Sequence, residues 1–174
     1  LFLLFYFIFG FYFSINTGIS TDEFIELENW ELSRDAIKNF FGFNKDGYAN
    51  LYAYEWKFHG IGHHFFSKLY ILFLSFFFTL DKYPLHVSDA LLSHSFYFFT
   101  FFLSGIFAKK ILNLLIKNEI FSNIFLVFYL LYPYLLGHGF YNPKDVPFLC
   151  IWLLCTYLSI KIFLHLSENE NIDF

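Results

Sequence analysis

The sequence predicts an all-α protein: a polytopic membrane helical bundle with an outer loop that carries amphipathic juxtamembrane helices. Three observations predict it. The 174-residue chain is 57% hydrophobic and 26% aromatic, with a mean hydropathy of +0.51. That is too apolar for a soluble domain of this size, whose surface must carry charge. Apolar runs at 1–15, 65–80, 90–108, 120–136 and 146–166 approach or reach membrane-crossing length, about 20 residues. Lys109, Lys110 and Lys117 cluster between the third and fourth runs, as they do in cytoplasmic loops. The net charge of −4 is small and argues against nucleic acid as a partner.

The runs at 90–108 and 146–166 are long enough to cross a core of about 30 Å at about 1.5 Å per residue. The run at 120–136 is slightly short and extends into its flanks. The first run, taken as 1–17 with its flank, opens inside apolar sequence in a chain without methionine, so it is expected to be a span whose start lies upstream. It shows neither a basic leader region nor a small-residue cleavage site. The run at 65–80 contains Ser67 and Lys68 and is followed by Asp81-Lys82-Tyr83-Pro84. Its sixteen residues reach about 24 Å as a helix, so it either crosses or lies in the interface. With the lysine loop inside, 120–136 runs outward, 137–148 faces outside, and 146–166 returns toward an acidic cytoplasmic tail at 168–174.

The one sizeable polar segment follows the first run. Ser20-Thr21-Asp22-Glu23 has the pattern of a capping box, with Ser20 as N-cap and Glu23 at the third helical position. Phe24, Leu27, Trp30, Ile37 and Phe41 follow at roughly helical spacing and predict an amphipathic helix over 21–41. Residues 42–47 read as a turn, and Tyr52, Tyr54, Trp56 and Phe58 as interfacial aromatics. Cys150 and Cys155 lie five apart in one apolar run, on different helical faces, and read as small buried residues.

Asp22 and Glu23 sit directly after the first span, at the membrane surface. Paired carboxylates there can take a proton from a hydroxyl or hold a divalent cation, although acids in a first helical turn also complement its dipole. The second candidate is GHGFYNPKDVPF at 137–148. Its prolines forbid a regular helix through the stretch and its glycines are expected to bend it. Asp145 and Pro147 suit the start of the last span. His138, Asn142 and Lys144 are not explained that way, and a lysine near a helix N-terminus suits an anionic group such as phosphate. His59, His63 and His64 form an H-x3-H-H group, but Gly60 and Gly62 make a helix there poor, and interfacial histidines are the simpler account. His94 falls inside the third run and is expected to face protein or a polar cavity.

An Asp-Glu pair straight after the first span, a long outer loop, and G-H-G-F-Y-N-P-K-D-V-P-F before the last span together resemble one group. It is the GT-C-type membrane glycosyltransferases of the protein O-mannosyltransferase kind, glycosyltransferase family 39 and its bacterial relatives. The resemblance implies that 1–174 is the N-terminal part, roughly a third, of a GT-C transmembrane domain, with spans at about 1–17, 90–108, 120–136 and 146–166. The outer loop is then 18–89, with 65–80 as a non-crossing juxtamembrane helix. The implied chemistry is inverting transfer of a sugar from a polyprenyl-phosphate carrier to a glycan, lipid or protein acceptor hydroxyl. By similarity Asp22 is the catalytic acid-base residue, Glu23 assists it or binds metal with it, and Asp145 is the second acidic position. Lys144, His138 and Asn142, with Arg34 as a weaker candidate, are assigned to the donor phosphate or its pocket on their own chemistry. Beyond a possible divalent metal at Asp22 and Glu23, no cofactor is expected; the lipid-linked sugar is the donor substrate. The short loops and composition favour a bacterial inner membrane with periplasmic catalytic loops. The alternative from another class is a transporter or flippase whose outer acids and lysine line a substrate path.

Overall fold

A computed structural model describes residues 1–43, 47–55, 61–77 and 84–169. Those residues form eight helices and no strand: α1 (Phe2–Ile15), α2 (Thr21–Phe40), α3 (Gly47–Ala53), α4 (Gly62–Leu74), α5 (Leu85–Ile116), α6 (Glu119–Leu131), α7 (Pro133–Tyr141) and α8 (Asp145–Asn169). The expected turn residues 44–46, Trp56, Phe58, His59, the Asp81-Lys82-Tyr83 segment and the tail from 170 onward lie outside the described residues.

Two helices are long and apolar enough to cross a membrane, Val87–Ile116 and Asp145–Ser167, and α6 with α7 makes a third if the bent pair is one span. The bend is 60° and falls at Tyr132, where Pro133 opens α7 and removes a backbone donor. The stretch expected as a span at 120–136 is thus broken into two helices. Helix α5 also outruns the expected 90–108 and ends only at Lys117, in the left-handed region at φ 54°. Asn118 then caps α6 by accepting from Phe121 N at 3.0 Å. Lysines are good helix formers, so Lys109 and Lys110 do not stop the helix. Helices α1 and α4 have 14 and 13 residues, or about 20 Å each, short of a crossing.

The interior is unusual for a water-soluble bundle. Ser14, Ser67, Ser95, Ser104 and Ser122 are fully buried. Large apolar side chains point outward instead, among them Phe5, Phe9 and Phe13 on α1, Ile124 and Phe128 on α6, and Ile151, Trp152 and Ile162 on α8. Small polar residues between helices and apolar residues outside are what lipid selects. Helix α5 is the central element, packed against α1, α4, α6, α7 and α8. Around it Phe98, Phe101, Leu126, Leu130 and Val146 form one core cluster, and Ile71, Leu74 and Leu92 a second. Aromatic contacts Tyr6–Phe102 and Phe7–Phe98, with a hydrogen-bond contact between Ser14 and His94, set α1 antiparallel to α5. The end of α1, the start of α2, the start of α5, the end of α7 and the start of α8 therefore meet at one end of the bundle.

Helix α2 begins as expected, with Glu23 Oε1 accepting from Ser20 N at 2.8 Å. It stops in a Schellman turn, where Gly42 at φ +83° allows Phe43 N to donate to Lys38 O at 2.8 Å. Helix α3 folds back on α2 at Gly47, where any Cβ would meet the Asp35 carbonyl at 2.2 Å. Trp30 holds α2 against α4 by an edge-to-face contact with Phe65, centroids 4.9 Å apart. Lys68 pairs with Asp89 at 2.7 Å and ties α4 to α5.

Candidate functional site

The first turn of α2 carries two adjacent carboxylates that a helix sets about 100° apart. The structure sends them to different places. Asp22 is exposed and lines a cleft of about 420 Å³ with Glu26, His138, Asn142, Lys144 and Asp145. Glu23 turns inward and is 4% exposed; its Oε2 lies 2.5 Å from Nε2 of His94, which is fully buried. The other His94 nitrogen, Nδ1, faces the Ser14 carbonyl oxygen at 3.2 Å. A carbonyl only accepts, so Nδ1 carries a proton there, and a second proton lies between Nε2 and the carboxylate. Both Glu23 oxygens are thus engaged, one by Ser20 N and one by His94. Asp22 and Glu23, the residues expected to share a possible cation, thus face different spaces, Asp22 the cleft and Glu23 the buried His94.

The second candidate stretch is organised by Asn142. The expected bends at Gly137 and Gly139 are absent, and both glycines lie inside α7. Gly139 serves close packing instead, since a Cβ there would sit 2.8 Å from Phe101 Cγ. The chain breaks only at 142–144. Asn142 Oδ1 accepts from Lys144 N at 3.1 Å and Asp145 N at 2.9 Å, which caps the start of α8. That fixes the other amide atom as nitrogen, which donates to Asp145 Oδ2 at 3.0 Å and faces His138 Nδ1 at 3.1 Å. Accepting at Nδ1 leaves the neutral His138 ring protonated at Nε2. Asn142 therefore acts as the scaffold of the turn that presents His138, Lys144 and Asp145.

Lys144 ion-pairs with Glu26, one turn beyond Asp22 on α2. The pair joins two turns that lie 118 residues apart in sequence, and Glu26 is 6% exposed by side chain. Lys144 and Asp145 also border a second space, a mainly apolar groove of about 650 Å³ walled by Phe66, Phe96, Pro147, Phe148 and Ile151. The lysine thus stands where a polar cleft meets an apolar groove. Arg34 does not join them. It lies twelve residues beyond Asp22, about 18 Å along α2, and contacts Asp35 at 3.6 Å.

His63 and His64 open α4 beside this junction. His63 lines the apolar groove, and His64 is 2% exposed. Burial, reinforced by Lys144, lowers the His63 pKa to about 4. Burial, with His63 and Lys68 nearby, lowers that of His64 to about 3. Both rings are therefore neutral at pH 7. Their ligand atoms and a Glu26 carboxylate oxygen lie within 4.8 Å of one another.

Sequence reasoning missed Glu26 as the partner of Lys144 and His94 as the partner of Glu23. Glu26 had a visible signal, since 22, 23, 26, 27 and 30 trace one broad helical stripe. His94 had none beyond its place in an apolar run. Comparison with known proteins gives no match: no protein family, no curated protein and no solved structure is similar to this chain.

Proposed function

We propose that the protein is a membrane glycosyltransferase that moves a sugar from a polyprenyl-phosphate carrier to an acceptor hydroxyl on the non-cytosolic face, in a polytopic helical domain of a bacterial inner membrane. One observation carries the reading. Asp22 and Asp145 line a single cleft, and that cleft adjoins an apolar groove at Lys144. A lipid-linked donor needs this adjacency, because its reacting phosphate is anionic while its tail is hydrocarbon.

In this reading the first isoprene units lie in the groove along Phe66, Phe96 and Phe148. The phosphate sits at Lys144, where an ammonium offsets the charge that develops on the leaving oxygen. The acceptor enters from the cleft. Its hydroxyl oxygen bonds to the anomeric carbon as the carbon–phosphate oxygen bond breaks, the electron pair leaves with the polyprenyl phosphate, and Asp22 takes the hydroxyl proton. His138, with its proton on Nε2, and Asp145 orient the acceptor or sugar hydroxyls. Glu23 positions Asp22 by anchoring α2 to α5 through His94.

The test is Asp22→Asn in the full protein, assayed with a radiolabelled polyprenyl-phosphate sugar in proteoliposomes. The expected outcome is loss of about 100-fold or more in transfer with unchanged membrane insertion and donor binding. Retained transfer sinks the role of Asp22. Undiminished movement of the lipid-linked sugar across the bilayer, with no free polyprenyl phosphate released by the unaltered protein, favours the transporter reading instead.

A further inference from the structure

Three metal-ligating side chains converge outside the reacting groups named above. Glu26 reaches in from α2, and His63 and His64 from the first turn of α4. We propose that Glu26, His63 and His64 form a binding site for a divalent transition-metal ion of the zinc class, and that Lys144 and the ion compete for the Glu26 carboxylate.

Donor chemistry is the first argument. Two imidazoles and a carboxylate are a three-ligand set suited to zinc, with a fourth position open to water. Geometry is the second. All three ligand atoms lie within 4.8 Å of one another. A tetrahedral ion with bonds of about 2.0–2.1 Å sets its ligands about 3.3 Å apart, so small side-chain rotations close the site. The two imidazoles already lie side by side, with ring centroids 3.9 Å apart and planes tilted by 40°.

The third argument concerns the nitrogens. Nε2 of both His63 and His64 is buried and meets no hydrogen-bond partner among the described residues. Burying such a group without a partner is costly, and two of them side by side need a common explanation. His64 also hydrogen-bonds to the Glu26 backbone. A backbone carbonyl can only accept, so the proton is on Nδ1 and the lone pair is on Nε2. That tautomer, fixed by an outer hydrogen bond, is the one a metal-binding imidazole adopts. Trp30, with its ring centroid 5.5 Å from that of His64, packs the ring into place.

Lys144 supplies the competing charge. Its ammonium is at the Glu26 carboxylate, where the ion would bind. A lysine head on a flexible stem is readily displaced, and Asp22 and Asp145 line the cleft it borders. Loading the ion therefore frees Lys144 to face the cleft, and losing the ion recaptures it. The site goes beyond the transferase reading and stands without it.

The test uses Co2+ as a spectroscopic probe on purified protein in detergent micelles, prepared with a tag that contains no histidine. The unaltered protein should bind one Co2+ per chain with the intense visible bands of a nitrogen- and oxygen-ligated four- or five-coordinate site, and Zn2+ should displace it. Glu26→Gln and His64→Gln should each weaken binding by about 100-fold, and His63→Ala should do the same. Lys144→Gln should tighten it about tenfold, which a merely adventitious site would not do. Lys144→Gln also keeps every ligand in place, so it remains informative if a ligand variant misfolds. Binding that is absent, that survives all three ligand substitutions, or that Lys144→Gln leaves unchanged or weakens overturns the proposal.

Discussion

Replacing His94 with leucine should destabilise the protein more than any surface substitution, and by an amount the geometry sets. His94 is fully buried and Glu23 is 4% exposed. The substitution removes the group facing Glu23 Oε2 and the Nδ1 donor to Ser14 O. Ser14 O keeps Thr17 N as a donor, so that loss is small. Glu23 keeps Ser20 N on Oε1 but leaves a buried charge half-compensated. Breaking a buried pair from one side costs about 3–5 kcal/mol. Glu23→Leu should cost a similar amount, because it strands His94 and removes the helix cap. The double variant replaces both polar groups with apolar ones and should cost much less than the sum, leaving a coupling of about 2 kcal/mol or more. Denaturation of the four proteins in mixed micelles measures the cycle. Single costs below about 1 kcal/mol, or a double variant equal to the sum within about 0.5 kcal/mol, would falsify the view that this pair anchors α2.

Further outcomes follow from the same contacts. Gly10→Ala places a Cβ 1.9 Å from Cζ of the buried Phe98 and should cost about 1–3 kcal/mol by overpacking; Phe98→Leu in the same chain should recover part of the loss, and a thermal scan of both reads it. His63 and His64 have folded-state pKa values lowered to about 4 and about 3, so the unfolded chain binds more protons below about pH 6.5. Their stabilising effect is complete above that pH and is lost as pH falls toward 4, at up to about 1.4 kcal/mol per pH unit for each ring. The melting midpoint should drop between pH 6.5 and 4.5, and His64→Gln should flatten the drop; a pH-independent midpoint contradicts the burial of the rings. Cysteines introduced at Phe24 and Tyr141, both exposed near the cleft, should react with an impermeant thiol reagent from the same side of the membrane. One at Lys117 should react from the other side, and any other pattern breaks the proposed topology.

What could be read from the residues divides along physical lines. The all-helical character was legible because apolar density needs no partner to be recognised. The start of α2 was legible because a capping box is local: Ser20 and Glu23 are three residues apart. A common site for Asp22 and Asp145 was expected from the resemblance, which side-of-membrane parity permitted without requiring; in the structure they line one cleft with His138 and Lys144. The misses were tertiary. Hydropathy located the apolar middle of α5 but not its ends, since lysines continue a helix. Proline 133 signals the break between α6 and α7, yet the surrounding apolar run masks it. Gly139 reads as a bend because its other use, the close approach of α7 to Phe101, depends on a helix nearly 40 residues away; Gly137 packs against nothing within 4 Å. Arg34 was included for its charge alone, and distance along α2 removes it.

Both acids of the cleft, and the paired histidines beside it, are moored to one mast. Asp22 hangs from α5 by the Glu23–His94 link, the turn bearing Asp145 by Val146 packed on Phe98 and Phe101, and the paired histidines by Lys68 on Asp89. Slippage among the peripheral helices therefore changes the spacing between the two acids only through these short tethers, whereas tilting α5 carries all three attachments together. A reagent or bilayer that rocks that mast would reorient the whole workplace as a unit without prising its members apart.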